Sequence, residues 1–208
     1  MKEIISYQNI EEAFAQLDNG GRFYNLFTKA KDEEINTAEL ARVAGLFSEK
    51  QQLILFLELS ISQLSKQDQV TIISKLDDKL RKDFLKYKAQ ELMPSEAEQR
   101  GVLSANAIIT GVPRVKNSTS EFKGFILIPV SAGKVITVMP IPIIDQYDIY
   151  EIRDEHAAES FLVAHYRGKG TLPEKKIKVA GVLKDIEVET EGGIAHRKFL
   201  EINYYQLL

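Results

Sequence analysis

Residues 147–154 read Tyr-Asp-Ile-Tyr-Glu-Ile-Arg-Asp, and residues 161–166, after a short turn, read Phe-Leu-Val-Ala-His-Tyr. Apolar and polar side chains alternate through the first stretch, which is the period of a β-strand whose two faces meet different surroundings. Two more stretches of this kind follow at 177–184 and 199–205. The chain from residue 147 onward therefore predicts neighbouring β-strands joined by turns.

Three earlier stretches rich in isoleucine and valine also predict strands, at 107–112, 125–130 and 135–144. Prolines interrupt this region, and a proline has no N–H to give to a sheet. Because two of them fall close together, we expect Met139–Pro142 to be an edge, a bulge or a bend.

Before residue 93 the apolar residues recur every three or four positions, which is the period of a helix. Capping pairs mark three helix starts, each with a polar residue followed three places later by a side chain that reaches back. The segment from Leu53 to Leu59 is apolar nearly all round and predicts the central helix. The predicted helices cover 9–17, 21–30, 37–46, 49–63 and 66–91, and the capping pairs are Asn36 with Glu39, Ser48 with Gln51, and Ser65 with Asp68.

The period changes after Pro94, which we expect to stop the last helix, and Ser95–Arg100 has the polar composition of a linker. The prediction is an α+β protein. A helical bundle domain, residues 1–97, precedes a β-rich domain, residues 98–208.

Composition limits the classes of function. The 208 residues have a net charge of −3, with 13 basic and 16 acidic residues in 1–97 and 14 of each in 98–208. Neither half offers the basic field that drives non-specific binding of nucleic acid. The chain has no cysteine, and its apolar runs are too short to span a membrane. We expect a cytoplasmic protein that is not inserted into a membrane.

The strand order of the last hundred residues resembles the OB fold, a Greek-key barrel of five strands. The resemblance rests on 147–154, 161–166, 176–183 and 199–205 as the second to fifth strands, with Gly133–Ile141 as the first. It implies an OB-like barrel over about 122–208. Barrels of this family bind oligonucleotides through the face of their second and third strands.

The helical half more faintly resembles the TerB-like bundles of tellurite resistance, through Phe23-Tyr24-Asn25-Leu26-Phe27 and Ala38-Glu39-Leu40. The same region is also similar to a broken EF-hand from Thr28 to Glu39. Its first ligand and its central glycine are missing, so we expect no tight calcium site.

The sequence predicts no catalytic, cofactor-binding or metal-binding residue. The spacing of His156, His165 and His196 matches no ligand pattern, and no serine lies in a nucleophile elbow. Glycines 168 and 170 lie between predicted strands, where no helix N-terminus can meet a phosphate. We therefore expect no enzymatic activity and no cofactor.

One cluster on the second and third predicted strands is a candidate ligand-binding face. It combines positive charge with an aromatic ring, the pattern used to bind single strands. Nearby tyrosines are equally compatible with a role in the core, because period two alternates the faces. The candidate residues are Arg153, His165, Tyr166, Arg167 and Lys169.

These observations favour a non-catalytic binding or adaptor protein that acts through protein–protein contacts. The alternative is binding of single-stranded nucleic acid through the OB-like barrel. A sensor of small molecules or ions is a third possibility. The partner's identity does not follow from the sequence.

Overall fold

The computed structural model describes residues 1–20, 30–46, 49–116, 124–132, 135–154, 159–190 and 192–208. Within these residues the chain is α+β, as predicted, with most helices in the N-terminal half and a nine-stranded sheet. It divides into two compact units. The helical unit is Glu3–Ala89, and the sheet unit is Gln90–Leu208 together with Met1–Lys2.

The helical unit is built around its third helix, whose residues from Leu53 to Leu57 are all buried. This confirms the predicted central helix. The predicted helix at 21–30 and the TerB-like residues 23–27 fall almost wholly outside the described residues, as does Ser48 of one capping pair. The helices are α1 (Ile10–Leu17), α2 (Thr37–Ala44), α3 (Lys50–Ser60), α4 (Lys66–Ser74) and α5 (Asp78–Tyr87).

The prediction of one helix over 66–91 is wrong, because this stretch forms two helices, α4 and α5, with a non-helical segment between them. Ile35 forms an isolated bridge with Leu76, and its backbone bonds the Lys75 carbonyl and the Asp77 N–H at 2.8 Å each. The Asp77 side chain then accepts the Leu80 N–H at 2.6 Å and starts α5 as its N-cap.

Asn36 and Glu39 form the predicted capping box at the start of α2. The Asn36 side chain accepts from the backbone N–H of Glu39 at 3.1 Å, and Glu39 Oε2 accepts from the Asn36 backbone at 3.1 Å. Glu39 Oε1 also accepts the Gly20 N–H at 2.5 Å. Glu39 is fully buried, and it joins the start of α2 to the segment after α1.

The sheet unit has a strand at each predicted position, except that residues 143 and 144 of the predicted strand 135–144 are helical. It also has two short helices that were not predicted, α6 (Pro94–Arg100) and α7 (Ile143–Gln146). The strands are β1 (Lys2–Glu3), β2 (Gln90–Leu92), β3 (Asn106–Val115), β4 (Gly124–Ala132), β5 (Val135–Pro142), β6 (Tyr147–Arg153), β7 (Ser160–Tyr166), β8 (Ile177–Thr190) and β9 (Gly193–Leu207).

The expected linker Ser95–Arg100 is helix α6 instead, with Pro94 at its first position, where a missing N–H costs no hydrogen bond. Strand β2 pairs in parallel with β3, and α6 contacts β3, β7 and β9. Because both elements contact the sheet, the compact units divide between Ala89 and Gln90, whereas the sequence analysis placed the boundary between residues 97 and 98.

Five strands form a closed cycle of pairings. Strand β3 pairs with β6, β6 with β7, β7 in parallel with β9, β9 with β8, and β8 again with β3. The expectation that Gly133–Ile141 is the first strand of this set is wrong, because β3 occupies that place. Strand β5 pairs with β4 and ends the order of the sheet, which confirms the predicted edge at Met139–Pro142.

Two glycines permit close approaches in this cycle. Strand β3 changes partner at Gly111, from β8 to β6, and a Cβ at Gly111 would overlap the Arg153 carbonyl oxygen. At Gly181 a bulge shifts the register of β8 and β9, and a Cβ there would overlap the Glu201 carbonyl oxygen. Glycine is therefore required at both positions.

Strands β6 and β7 are buried on both faces. One core cluster takes residues from all five strands of the cycle, including Ile109, Ile152, Val163, Val179 and Ile202. A second cluster lies on the opposite face of β6 and β7, and it includes Ile149, Leu162 and Ala164.

We expect Gly181→Ala to destabilise the sheet unit by about 1–3 kcal/mol or more, because the new methyl group must displace a backbone carbonyl. Gly192→Ala is the matched control, since a Cβ there meets its nearest neighbour at 4.0 Å. Urea denaturation of both variants measures the difference. Equal stabilities for Gly181→Ala and the wild type would contradict the close approach.

We expect Glu39→Ala to lower the free energy of unfolding by about 1–3 kcal/mol, because buried N–H groups lose their acceptor. Burial raises the pKa of Glu39, although the N–H donors of Asn36 and Gly20 oppose the shift. The folded state thus holds the proton more tightly. The stability that this supplies is present below the ordinary pKa and is lost as the pH rises through the raised value.

The loss in Glu39→Ala is accordingly larger at pH 4 than at pH 7, as measured by denaturant unfolding at each pH. Glu34→Ala serves as the control, because Glu34 is exposed. A loss that grows towards neutral pH would show that the ionised form of Glu39 is the stabilising one.

Candidate functional site

The predicted ligand-binding residues do not converge on one surface. Opposed residues of an antiparallel pair share a face. Tyr166 lies opposite Tyr147, and Arg153 lies opposite Ser160, so both are on one face but at opposite ends of the β6–β7 hairpin. His165 lies on the other face, opposite Asp148.

His165 is fully buried and does not reach a ligand surface. Its Nδ1 lies 2.9 Å from the Tyr166 carbonyl oxygen, and its Nε2 lies 3.4 Å from the Tyr150 hydroxyl. The same hydroxyl accepts the Leu172 N–H at 3.3 Å. These contacts hold the loop after β7 against the strands.

Two of the positively charged candidate residues, Arg153 and Arg167, have carboxylate partners. Arg153 donates to Glu151 at 3.0 Å, and the Arg167 guanidinium lies 3.6 Å from Asp148 and donates to the Ile144 carbonyl. Lys169 lies in the exposed loop that follows β7. Because two of the cations are neutralised locally, the face does not form a continuous positive groove.

We call the face of β6 and β7 that points away from the five-strand core the outer face. Other parts of the protein cover much of it. Ile143 and Ile144 of α7 pack there with Ile149 and Leu162, and Ile126 of β4 packs against the same cluster. Both ends of this face stay exposed: Arg153 lies at one end, and Tyr166, which is 50% exposed, lies at the other.

A cavity of about 340 Å³ lies at the end that carries Tyr166. Tyr147 and Tyr166 stack beside it, with ring centroids 4.5 Å apart and an interplanar angle of 27°. The Tyr147 hydroxyl donates to Glu201 Oε2 at 2.6 Å, and Lys184 donates to the same oxygen at 2.5 Å. Burial, and then the hydrogen bond to Glu201, raises the pKa of Tyr147 well above its ordinary value.

The sequence analysis did not identify this Tyr147–Glu201–Lys184 group. The three residues lie on three strands, and only the pairing of β6, β7, β9 and β8 brings them together. The alternation within each strand predicts which face of the sheet each residue lies on. It does not predict which residues of different strands are neighbours, because that depends on the register of the pairing.

Strands β4 and β5 form a hairpin that extends beyond the sheet, which we call the arm. They pair from Phe125 with Pro142 to Ala132 with Val135, whereas β4 has described pairs with β8 only at Gly124 and Phe125. Residues 124–144 contain one charged residue, Lys134. Large apolar side chains are exposed on both faces of the arm: Leu127 is 47% exposed, Val138 55% and Met139 48%.

The three prolines of the arm all lie in alternate residue pairs of the β4–β5 ladder, so they belong to the same kind of pair. Pro129 lies opposite Val138, Pro140 opposite Leu127, and Pro142 opposite Phe125. Because a proline cannot donate, these positions fit the pairs whose backbone nitrogens point away from the partner strand. The prolines therefore leave the ladder between β4 and β5 intact and remove N–H donors from the arm's outer edges, which limits pairing by further strands.

In the described part of the EF-hand-like region, Asp32 and Glu39 accept from backbone N–H groups and Glu33 pairs with Lys75. Asp18, which precedes the region, also binds its backbone. Asp18 accepts from the N–H groups of Lys31 at 2.6 Å and Glu33 at 2.9 Å, and Glu39 accepts from Gly20 and Asn36. Thr28, the expected first position of the loop, is outside the described residues. The prediction that this region has no tight calcium site stays a prediction.

The described residues form neither a metal cluster nor a membrane-spanning helix. No three acidic or histidine side chains among them are placed to share a metal ion. None of the helices in the same part of the chain has both the length and the apolar character needed to cross a bilayer. His156 lies outside the described residues.

Comparison with known proteins gives no assignment. No family model matches the chain. No curated protein matches it either. The function must therefore be argued from the geometry.

Proposed function

We propose that this chain is a non-catalytic binding protein that acts through protein–protein contacts, and that the arm is its main contact surface. One observation carries the proposal: the arm, residues 124–142, has a single charged residue and exposes apolar side chains on both faces. Exposed apolar patches on proteins mark sites of interaction.

We further propose that the sheet unit is an OB-type barrel. The closed cycle of five strands supports this, as does the single core cluster to which all five contribute. In this arrangement the arm and α7 are an insertion between the first strand, β3, and the second, β6. The insertion covers the face that such barrels use for oligonucleotides, which favours a protein partner.

The proposal keeps two further expectations from the sequence, a TerB-like helical unit and a cytoplasmic location. The absence of cysteine supports the second. The protein–protein function does not depend on either of them.

Pairs of opposite charge support the proposal against the nucleic-acid alternative. Besides Arg153 and Arg167, Lys184 is bound to Glu201, and Lys116 lies 3.7 Å from Glu151. Residues 121–208 contain 11 basic and 13 acidic residues, a balance of −2. Such a surface gains little from the release of phosphate counterions.

We expect single-stranded DNA and RNA to bind more weakly than about 1 µM at physiological salt. The measurement is the fluorescence anisotropy of a labelled oligonucleotide across a salt series, with Arg153→Ala/Arg167→Ala as the comparison. Submicromolar binding that is steep in salt and is lost in this double variant would make nucleic-acid binding the correct function.

We expect Val138→Glu/Met139→Glu to reduce capture of a protein partner at least about ten-fold, because each new carboxylate must be buried without a partner. The measurement is affinity capture from nuclease-treated lysate, quantified for the specific bands retained by the wild type. Both side chains are about half exposed, so the melting temperature should change little.

Val70→Glu/Ile194→Glu is the matched control, because it adds two carboxylates at apolar positions that are 60% and 69% exposed outside the arm. The control should capture the same bands as the wild type. Equal loss in both double variants, or unchanged capture by the arm variant, would contradict the proposal.

A further inference from the structure

The cavity beside Tyr166 lies next to the arm, and we call it the aromatic cavity. Residues 125–127 of β4 form one wall, so Leu127 belongs to both the arm and the cavity. Its volume of about 340 Å³ is at the low end of ligand pockets, which hold roughly 300–1,000 Å³. The lining includes Leu127, Tyr147, Tyr166, Lys184, Asp185 and Glu187.

Tyr147 is a fixed platform under Tyr166. The Tyr147 hydroxyl donates a hydrogen bond to Glu201, and the Tyr147 ring contacts Phe199 edge-on with ring centroids 6.1 Å apart. Tyr147 is only 3% exposed. Tyr166 stacks on this platform and is 50% exposed. An aromatic ring is therefore held in place with part of its surface open to an incoming group.

Charge does not dominate the cavity. The Lys184 ammonium is bonded to Glu201, which leaves this pair close to neutral. Asp185 and Glu187 also line the cavity, and their carboxylates lie 3.0 Å and 3.8 Å from the His196 ring nitrogens. Stacking on Tyr166 and apolar contact with Leu127 are thus available beside charged groups that already have partners in the protein.

We propose that the aromatic cavity binds one aromatic side chain of the partner polypeptide, stacked against Tyr166 while the partner's backbone follows the arm. This inference rests on the proposed function, because it names the anchor of the same contact. Interfaces concentrate their binding energy in aromatic residues that fill such pockets. An aromatic ring that stacks on Tyr166 gains binding free energy beyond that of buried area, and an aliphatic side chain of similar area does not.

The test uses single amino-acid derivatives as probes, so it needs no knowledge of the partner. Amide chemical shifts of the full chain are followed by NMR during titration with Nα-acetyl-tryptophan amide or Nα-acetyl-leucine amide. The tryptophan derivative should shift the amides of Leu127, Tyr166 and Lys184, and the leucine derivative should bind about two- to ten-fold more weakly.

Tyr166→Ala should weaken binding of the tryptophan derivative by a similar factor, and Leu127→Ala provides a second variant at a half-exposed wall position. Ile194→Ala, a substitution at an exposed apolar residue elsewhere, should bind like the wild type. Equal binding of the two derivatives, shifts unaffected by Tyr166→Ala, or no shifts at millimolar probe would overturn the inference.

The proposed function and this inference fail separately. If Val138→Glu/Met139→Glu abolishes partner capture but the probes do not distinguish aromatic from aliphatic groups, the proposal that the arm is a contact surface is supported. The proposal that the cavity binds an aromatic side chain is then refuted. If the probes bind as expected but the arm variant captures normally, the arm's role is refuted. Neither substituted arm residue lines the cavity.

Discussion

Burial of the β6–β7 hairpin on both faces is the constraint on which the sheet unit depends. One face contributes Ile152 and Val163 to the core shared by the five-strand cycle, and the other contributes Ile149 and Leu162 to the core under α7. A strand buried on both sides has no full face left for a ligand. The surface available for binding is therefore displaced to the hairpin's exposed end and to the arm inserted before it.

That displacement gives the arm its chemistry. The first residues of the arm pair with β8, and Ile126 packs on the outer core, so the base is anchored while Val138 and Met139 stay exposed. Keeping such side chains in water forgoes about 25 cal/mol for each Å² that burial would remove from solvent. The prolines offset the hazard of edge pairing that an apolar hairpin creates, because they remove N–H donors from its edges.

Much of the fold was predictable because its signals are local. Alternation located the strands, the Asn36–Glu39 box marked the start of α2, and the apolar circumference of Leu53–Leu59 identified the central helix. The errors came from tertiary contacts. The Ile35–Leu76 bridge breaks a helical pattern that looks continuous in sequence, and α6 begins at a proline that was interpreted as a stop signal.

The candidate site was less predictable, since it depends on register and on what covers each face. Period two correctly separates Tyr166 from His165, but the sequence does not reveal that α7 and β4 cover the neighbouring residues. The group of Tyr147, Glu201 and Lys184 requires three pairings between distant segments. The low charge of residues 124–144 is visible in the sequence, but the predictions for this stretch rest on its isoleucine, valine and proline content, which does not indicate a contact surface.

The central claim is that the arm contacts a protein partner, and hydrogen exchange of the full chain with and without the captured partner tests it most directly. The account predicts slower exchange at the arm's amides, particularly Leu127, Val138 and Met139, together with Tyr166 at the cavity. Protection confined to the helical unit, or to β6 and β7 away from Tyr166, would contradict it.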